Sequence, residues 1–185
     1  MGSPVIRVSH LLQVLIPLLL STAQLSLAQL GPDTGVKLIE ETCSDTEDPE
    51  LCVSSFLTDP QSTSALYKDL GAVSVRVVAA NATDTRDYIE HLLNKAEDSA
   101  TKKSLEICLE SYNSMVEELH TVTDSLEELD FMPVEEALDL AKTKAEECEE
   151  EFKKQKGLKS PLTQRNEMIG KLADNGFVIV GDMMI

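Results

Sequence analysis

The sequence predicts an all-α protein with two disulfides: an up-down-up-down four-helix bundle preceded by an N-terminal helical hairpin. Three observations lead to this fold class. Apolar residues recur every three or four positions along four successive segments, as on the buried face of an amphipathic helix. Turn-forming and helix-capping residues separate those segments. All four cysteines lie downstream of an N-terminal stretch that has the pattern of a secretory leader.

The leader is predicted to end at residue 28. Arg7 stands in a short polar start, and an apolar run follows from Leu11 to Leu20. Small residues then allow cleavage after Ala28 or, earlier, after Ala23. The run is about half of the roughly 20 apolar residues that span a bilayer, so no membrane partner is predicted. We expect residues 1–28 to be a signal peptide and the mature protein to be secreted.

The composition excludes a class of partner. The chain has 33 acidic and 16 basic residues and a formal charge of −17, and removing the leader with Arg7 makes it −18. A protein that binds nucleic acid by neutralising phosphates is therefore not expected. At 42% hydrophobic residues the chain is composed like one ordinary domain with a core, not like a disordered acidic tail.

Residues 29–60 are expected to form the hairpin that precedes the bundle. Two short helical segments are joined by turn-forming and capping residues from Ser44 to Pro49. Cys43 and Cys52 flank this turn. The remainder, residues 61–185, is expected to be the four-helix bundle.

The first two bundle helices are predicted from apolar stripes. The stripe of the first helix is Leu66, Leu70, Val73, Val77 and Ala80, resuming at Tyr88, Leu92 and Leu93. The second helix begins near Ser99, and its stripe is Leu105, Leu109, Tyr112, Val116, Leu119, Leu126 and Leu129. The turn at Asp130 to Pro133 ends it, because proline disfavours helical geometry in the residue before it.

The third and fourth bundle helices follow the same pattern. The third has the stripe Val134, Leu138, Ala141, Ala145, Cys148 and Phe152 and stops near Gly157. The fourth opens at Ser160-Pro161 and carries Leu162, Ile169, Leu172, Gly176 and Val180. Phe177 to Val180 alone could form a strand, and each glycine costs a helix about 1 kcal/mol relative to alanine. No partner strand is visible elsewhere, so a helix is predicted.

The cysteines are expected to form two disulfides, since secretion exposes them to an oxidising lumen and none has metal-ligand spacing. In two antiparallel helices, residues at the same level lie equally far from the connecting turn. The midpoint of Cys43 and Cys52 falls within the first turn, and that of Cys108 and Cys148 falls beside the Asp130 to Pro133 turn. These two pairs are therefore favoured over the alternatives.

No catalytic, cofactor-binding or metal-binding residue is assigned, and the protein is not predicted to be an enzyme. Glu117 and His120 form a single Glu-x-x-His, whereas a di-iron bundle needs two such motifs. The sequence contains no nucleophile elbow and no glycine-rich phosphate loop. Disulfide formation would leave no free thiol.

Three surface features have two interpretations each. The glutamates around Cys148 form either a solvated helix face or an acidic patch that attracts a basic partner. Asn81 begins a glycosylation sequon, which is used only if it faces solvent. Phe131 and Met132, next to Pro133, either pack over the end of the bundle or form an apolar tip that enters a partner's cleft.

The sequence resembles the plant invertase and pectin methylesterase inhibitor family over essentially the whole mature chain. The residues that carry this resemblance are Ile39 to Cys43, Cys52, Asp59-Pro60, Asp69 to Gly71, Cys108, Tyr112, Glu147 to Glu149, Phe152 and Ser160 to Leu162. The resemblance implies a hairpin followed by a bundle, with bonds between the first and second and between the third and fourth cysteines. It also implies an apoplastic location, no cofactor, and a protein that plugs the active-site cleft of a cell-wall enzyme.

The resemblance implies two kinds of partner: a cell-wall or vacuolar invertase, or pectin methylesterase. Some invertase inhibitors of the family carry Pro-Lys-Phe aimed at the invertase active site, where this chain has Phe131, Met132 and Pro133. Inhibitors of pectin methylesterase use faces of the bundle helices. Lys156 to Leu158 and Ser160 to Thr163 are most similar to a pollen member named for invertase inhibition, so invertase is slightly favoured. The alternative is a non-inhibitory acidic bundle with a structural or ligand-binding role.

Overall fold

The structure is a computed structural model that describes residues 35–125, 131–155 and 157–184, with only the backbone of residues 124 and 125. All of them belong to one compact unit. The predicted signal peptide, both predicted cleavage sites and the stripe residues Leu126 and Leu129 lie outside the described residues.

The described elements are helical, which confirms the predicted all-α class. They are α1 (Val36–Cys43), α2 (Pro49–Phe56), two 3₁₀ turns (Ser62–Ser64 and Tyr67–Asp69), α3 (Leu70–Leu93), α4 (Ser99–Ser125), α5 (Met132–Lys154) and α6 (Thr163–Met183). Each helix of the bundle packs against the next, and α6 closes the bundle against α3. The segment that could have been a strand lies inside α6. None of the described helices has the length and apolarity that a membrane span requires.

The hairpin of α1 and α2 forms where the capping residues predict it. Asp48 caps α2, because its carboxylate accepts a hydrogen bond from the backbone N–H of Leu51 at 3.1 Å. Pro49 occupies the first turn of α2, where its missing N–H has no cost. A disulfide joins Cys43 to Cys52 across the turn. The buried face of the hairpin packs against α3 and α6.

The start of the first bundle helix differs from the prediction. Helix α3 begins at Leu70, and Leu66 is exposed because it lies in extended backbone between the two 3₁₀ turns. The carboxylate of Asp69 accepts the backbone N–H of Leu66 at 2.9 Å and holds that turn. Ala80 is also exposed. The buried face instead continues through Val78, Ala82, Thr85 and Ile89, where the Thr85 hydroxyl donates to the carbonyl oxygen of Asn81 at 2.8 Å.

The other stripes lie largely in the core. All six predicted positions of α5 are buried, as are the five predicted for the last segment. In α4, Leu109 is half-buried and the remaining described stripe residues are buried. The second disulfide joins Cys108 of α4 to Cys148 of α5, so the two bonds connect the pairs that the midpoints favour.

One glycine of α6 allows a close helix approach. A Cβ at Gly176 would lie 2.8 Å from Cδ1 of Leu138 in α5 and 3.3 Å from Cβ of Ser74 in α3. At Gly170 and Gly181 a Cβ would meet nothing within 4 Å. Of the three glycines in α6, only Gly176 lies where close packing between helices leaves no room for a larger side chain.

Candidate functional site

One end of the bundle carries an exposed apolar surface, which we call the bundle end. In an up-and-down bundle, the starts of α3 and α5 and the end of α6 meet at the same level. The side chains at these positions are Leu66, Tyr67, Phe131, Met132, Met183 and Met184. The structure therefore brings the predicted turn residues together with others far away in sequence.

Contacts around Gly71 show that the three helix ends meet. A Cβ at Gly71, in the first turn of α3, would lie 3.4 Å from Cε1 of Phe131 and 3.6 Å from Sδ of Met183. The aromatic ring and the thioether thus lie over the start of α3. Both side chains are partly buried against the core. Phe131 and Met183 therefore mark the level at which α3, α5 and α6 meet.

The two candidate tip residues of the α4–α5 turn have different environments. Phe131 packs inward against the bundle, whereas Met132 is 55% exposed. Pro133 is half-buried in the first turn of α5, where proline is well tolerated. Phe131 therefore acts as the packing residue and Met132 as the outward one. Only Met132 faces outward at this turn, and the role of Phe131, Met132 and Pro133 in contacting a target stays a prediction.

Three further apolar residues of the bundle end were missed by the sequence analysis. Leu66 is 47% exposed, Tyr67 is 42% exposed and Met184 is 45% exposed. Leu66 was assigned to the buried stripe, because its spacing to Leu70 fits a helix. The one local signal was Asp69, a residue type that starts helices and turns and so marks the preceding residues as lying outside α3.

The phenol of Tyr67 stays neutral over the pH range of plant fluids. Burial and, to a smaller extent, the carboxylate of Asp182 raise its pKa above the ordinary value near 10. The side chain therefore offers an apolar ring together with a hydroxyl that can donate a hydrogen bond. Lys68, Asp182 and Glu135 lie close by in sequence, so charged residues border the apolar surface. An apolar centre with a polar rim is typical of protein interfaces.

The glutamates around Cys148 are not a uniform solvated face. Glu146, Glu147 and Glu150 are exposed, but the carboxylate of Glu149 is held by two donors. Thr163 Oγ1 donates to it at 2.7 Å, and Asn166 Nδ2 donates at 2.8 Å. Burial acts to raise the pKa of Glu149, but the hydrogen bonds from Thr163, Asn166 and Ser160 together lower it below its ordinary value.

Glu149 belongs to what we call the buried polar network, formed by Tyr112, Glu149, Thr163 and Asn166. The hydroxyl of Tyr112 donates to Oδ1 of Asn166 at 2.8 Å, and burial raises the pKa of this phenol. Asn166 Nδ2 also lies 3.6 Å from Sγ of Cys148. The network joins α4, α5 and α6 beside the second disulfide. Its polar atoms are matched to one another, which indicates a structural role.

The remaining candidate residues lie away from the bundle end. Asn81 is half-buried in α3, and its Nδ2 donates to the carbonyl oxygen of Val77 at 2.9 Å. His120 is exposed and borders an open groove of about 640 Å³ that also includes Asp84 and Asp87. Within the part of the chain that the structure describes, no group of three acidic, histidine or cysteine side chains is placed to hold a metal ion.

Comparison with known sequences finds a matching family model and several similar proteins. The family model described as "Plant invertase/pectin methylesterase inhibitor" matches residues 37–179. The chain is 31% identical over 154 residues to "Cell wall / vacuolar inhibitor of fructosidase 2" from Arabidopsis thaliana, covering 82% of this chain and 86% of that protein. It is 30% identical over 142 residues to "Pectinesterase inhibitor" from Actinidia deliciosa, covering 77% of each. A "Putative invertase inhibitor" from Platanus orientalis is 27% identical over 118 residues, 64% of this chain and 69% of that protein.

Solved structures share the fold. A mutant form of a pectin methylesterase inhibitor from Arabidopsis superposes with a TM-score of 0.63 at 22% identity, covering 75% of this chain and 92% of the other. A second crystal structure, of a pectin methylesterase inhibitor from Arabidopsis thaliana, gives a TM-score of 0.57 at 20% identity, with coverage of 77% and 93%. At these identities the likeness concerns the fold alone.

Proposed function

We propose that this chain, which belongs to the plant invertase/pectin methylesterase inhibitor family, blocks a plant invertase by docking its bundle end on the enzyme. Its relatives and structural neighbours are inhibitor proteins, and the chain is an inhibitor of cell-wall enzymes rather than an enzyme itself. The choice of invertase and the docking surface are the new parts of the proposal.

The observation that carries the proposal is the exposed apolar surface of the bundle end. Among the described residues, seven large apolar side chains are exposed, and four of them lie at this end: Leu66, Tyr67, Met132 and Met184. Aromatic and methionine side chains are enriched at the centres of protein interfaces. Water-exposed apolar residues gathered in one place, bordered by charged ones, favour a surface that becomes buried in a complex.

The position of the surface favours invertase over pectin methylesterase. The relatives include an inhibitor of fructosidase and an inhibitor of pectinesterase at nearly equal identity, so identity does not separate the two targets. The α4–α5 turn, however, is where some invertase inhibitors carry the tripeptide aimed at the active site. With Met132 at this turn in place of lysine, the contact becomes apolar, and its strength should depend little on salt.

The rest of the organisation is part of the same proposal. We infer that residues 1–28 direct secretion into the apoplast, that residues 29–60 form the hairpin extension, and that residues 61–185 form the inhibitory bundle. Glycosylation of Asn81 stays a prediction, which the mass change after treatment with a peptide N-glycosidase would check. The groove beside His120, bordered by the ion pair of Asp59 and Arg76, is an open surface groove rather than an enclosed cavity in which a carrier buries most of its ligand.

A titration tests the function and the surface together. The disulfide-bonded protein is added to one cell-wall invertase and to one pectin methylesterase at mildly acidic pH, and both activities are followed. We expect stoichiometric loss of invertase activity. Met132→Ala should raise the inhibition constant by about tenfold or more, because an exposed side chain that becomes buried at an interface centre contributes on the order of 2 kcal/mol.

The matched control is Met168→Ala. Met168 is also exposed, but it lies on α6 away from the bundle end, so its variant should inhibit like the wild type. Loss of pectin methylesterase activity alone would contradict the choice of target. Equal inhibition by both variants and the wild type would contradict the docking surface, and no inhibition of either enzyme would favour a non-inhibitory bundle.

A further inference from the structure

The methionines occupy environments that differ sharply in exposure. The described residues contain five of them: Met115, Met132, Met168, Met183 and Met184. Met115 is fully buried in α4, and Met183 is partly buried over Gly71. Met132 and Met184 are exposed at the bundle end, where α5 begins and α6 stops. Three of the five therefore lie in one small apolar surface.

The chain offers peroxide little else to attack. All four cysteines are in disulfides and fully buried, and the sequence contains no tryptophan. Thioethers are the remaining sulfur groups that hydrogen peroxide oxidises readily, and exposed ones react first. Among the described residues, the exposed methionines are Met132, Met184 and Met168. Two of these three belong to the bundle end.

We propose that Met132 and Met184 are a peroxide-sensitive modification site that switches off docking at the bundle end, an inference that rests on the proposed function. In the reaction, the thioether sulfur attacks one oxygen of a peroxide and the O–O bond breaks. The sulfur gains that oxygen and is oxidised by two electrons to the sulfoxide. The peroxide is reduced, and its other oxygen leaves as water or an alcohol.

Oxidation to the sulfoxide removes the apolar character on which docking of the bundle end depends. A sulfoxide converts a flexible apolar side chain into a polar one. When the bundle end is covered by a partner, the new S=O group loses its water and must find a donor there. A buried polar group without a hydrogen bond is strongly unfavourable, so we expect binding to weaken by tenfold or more. The fold should persist, because neither side chain is buried in the core.

The experiment oxidises the intact disulfide-bonded protein with a series of hydrogen peroxide concentrations. Peptide mass spectrometry measures the gain of one oxygen at each methionine, and the inhibition constant is measured on the same samples. We expect Met132, Met184 and Met168 to oxidise well before Met115. Loss of inhibition should follow the oxidation of Met132 and Met184, and methionine sulfoxide reductases should restore it.

Conservative variants assign the effect to the two residues. The double variant Met132→Leu with Met184→Leu keeps the surface apolar but cannot be oxidised at these positions. Whatever inhibition constant it has before peroxide, that constant should be unchanged after peroxide. Met168→Leu, the matched control, should lose inhibition on oxidation as the wild type does. Oxidised samples of all variants should keep the circular dichroism of the native helices.

The outcomes separate this inference from the proposed function. Oxidation of Met115 at the same rate as Met132, or full inhibition with both bundle-end sulfoxides formed, would overturn the inference. So would loss of inhibition by the oxidised leucine double variant. A wild type that inhibits neither enzyme before oxidation would instead refute the proposed function, while the order of methionine oxidation would still test the exposure on which the site rests.

Discussion

The bundle end and the buried polar network both depart from the usual distribution of side chains, in which apolar groups are buried and polar groups face water. At the bundle end, Met132 and Tyr67 expose apolar surface to water. In the network, Tyr112 and Asn166 bury polar groups between three helices. Under the proposed function, stability and recognition depend on separate sets of residues in this molecule, so each should be open to change without the other.

The network is tolerated inside the bundle because its polar groups satisfy one another. Asn166 accepts from Tyr112 with its oxygen and donates to Glu149 with its nitrogen. Thr163 occupies the other carboxylate oxygen of Glu149. Removing Asn166 takes a partner from both Tyr112 and Glu149, and a buried polar group that loses its partner costs more than a single hydrogen bond contributes. At the bundle end, by contrast, the described side chains of Leu66, Tyr67, Met132 and Met184 remain exposed.

Breaking the network should have the largest effect on stability. Asn166→Ala removes the central residue, so the Tyr112 hydroxyl loses its acceptor on Asn166, and the Glu149 carboxylate keeps Thr163 but loses the Asn166 donor. We expect the free energy of unfolding to fall by about 3 kcal/mol. Urea denaturation measures it, and Asn113→Ala, at an exposed position of α4, is the matched control with an expected change within about 0.5 kcal/mol.

The same pair of variants tests the separation of roles. At a temperature where Asn166→Ala is still folded, it should inhibit as the wild type does, because the network lies away from the bundle end. Met132→Ala should show the reverse behaviour, with normal stability and weaker inhibition. If Asn166→Ala lost inhibition while remaining fully folded, the two regions would not be independent.

Alanine substitutions at two glycines of α6 test how tightly the interior is packed, and we expect their effects on stability to be intermediate in size. Gly176→Ala forces a methyl group against Leu138 and Ser74 and should destabilise the protein by about 1–2 kcal/mol. Gly170→Ala meets no neighbour and should stabilise it by up to about 1 kcal/mol, because alanine favours helix. Thermal unfolding of the two variants should therefore shift in opposite directions. Stabilisation by both would mean that α6 does not approach α5 as closely as described.

The smallest expected effect is on the pH dependence of stability. The hydrogen bonds lower the pKa of Glu149 in the folded state, so its contribution is present above the ordinary carboxyl pKa of about 4.3 and is lost as the pH falls through the lowered value. Glu149→Gln should be less stable than the wild type near neutral pH and should lose less stability on acidification. Glu146→Gln, at an exposed neighbouring position, should follow the wild-type profile. Parallel profiles for all three proteins would contradict this role of Glu149.

Much of the fold could be predicted because helical periodicity and turn residues act locally. The α5 stripe from Val134 to Phe152 is buried throughout, and the two disulfides lie where the turns place them. Leu66 was misassigned because periodicity does not reveal where a helix starts. The carboxylate of Asp69 binds the backbone N–H of Leu66 and holds that residue in a turn before α3 begins.

The candidate site could be predicted only in part, because it is assembled from distant segments. The α4–α5 turn was visible in the sequence, but its division into an inward Phe131 and an outward Met132 depends on packing over Gly71. Tyr67 and Met184 join the same surface only when α3 and α6 are placed side by side. The network around Glu149 was hidden for the same reason, since its residues come from three helices.

Hydrogen exchange of the protein, alone and bound to the enzyme it inhibits, tests the central claim most directly. The bundle end consists of helix ends, which open more readily than helix centres, so we expect its amides to exchange faster than those of the helix middles in the free protein. End-on docking predicts slower exchange in the complex for residues 66–71, 131–135 and 181–184, and no change for residues 140–150 or 163–173. Protection along the middle of the helices, with the bundle end unchanged, would contradict it.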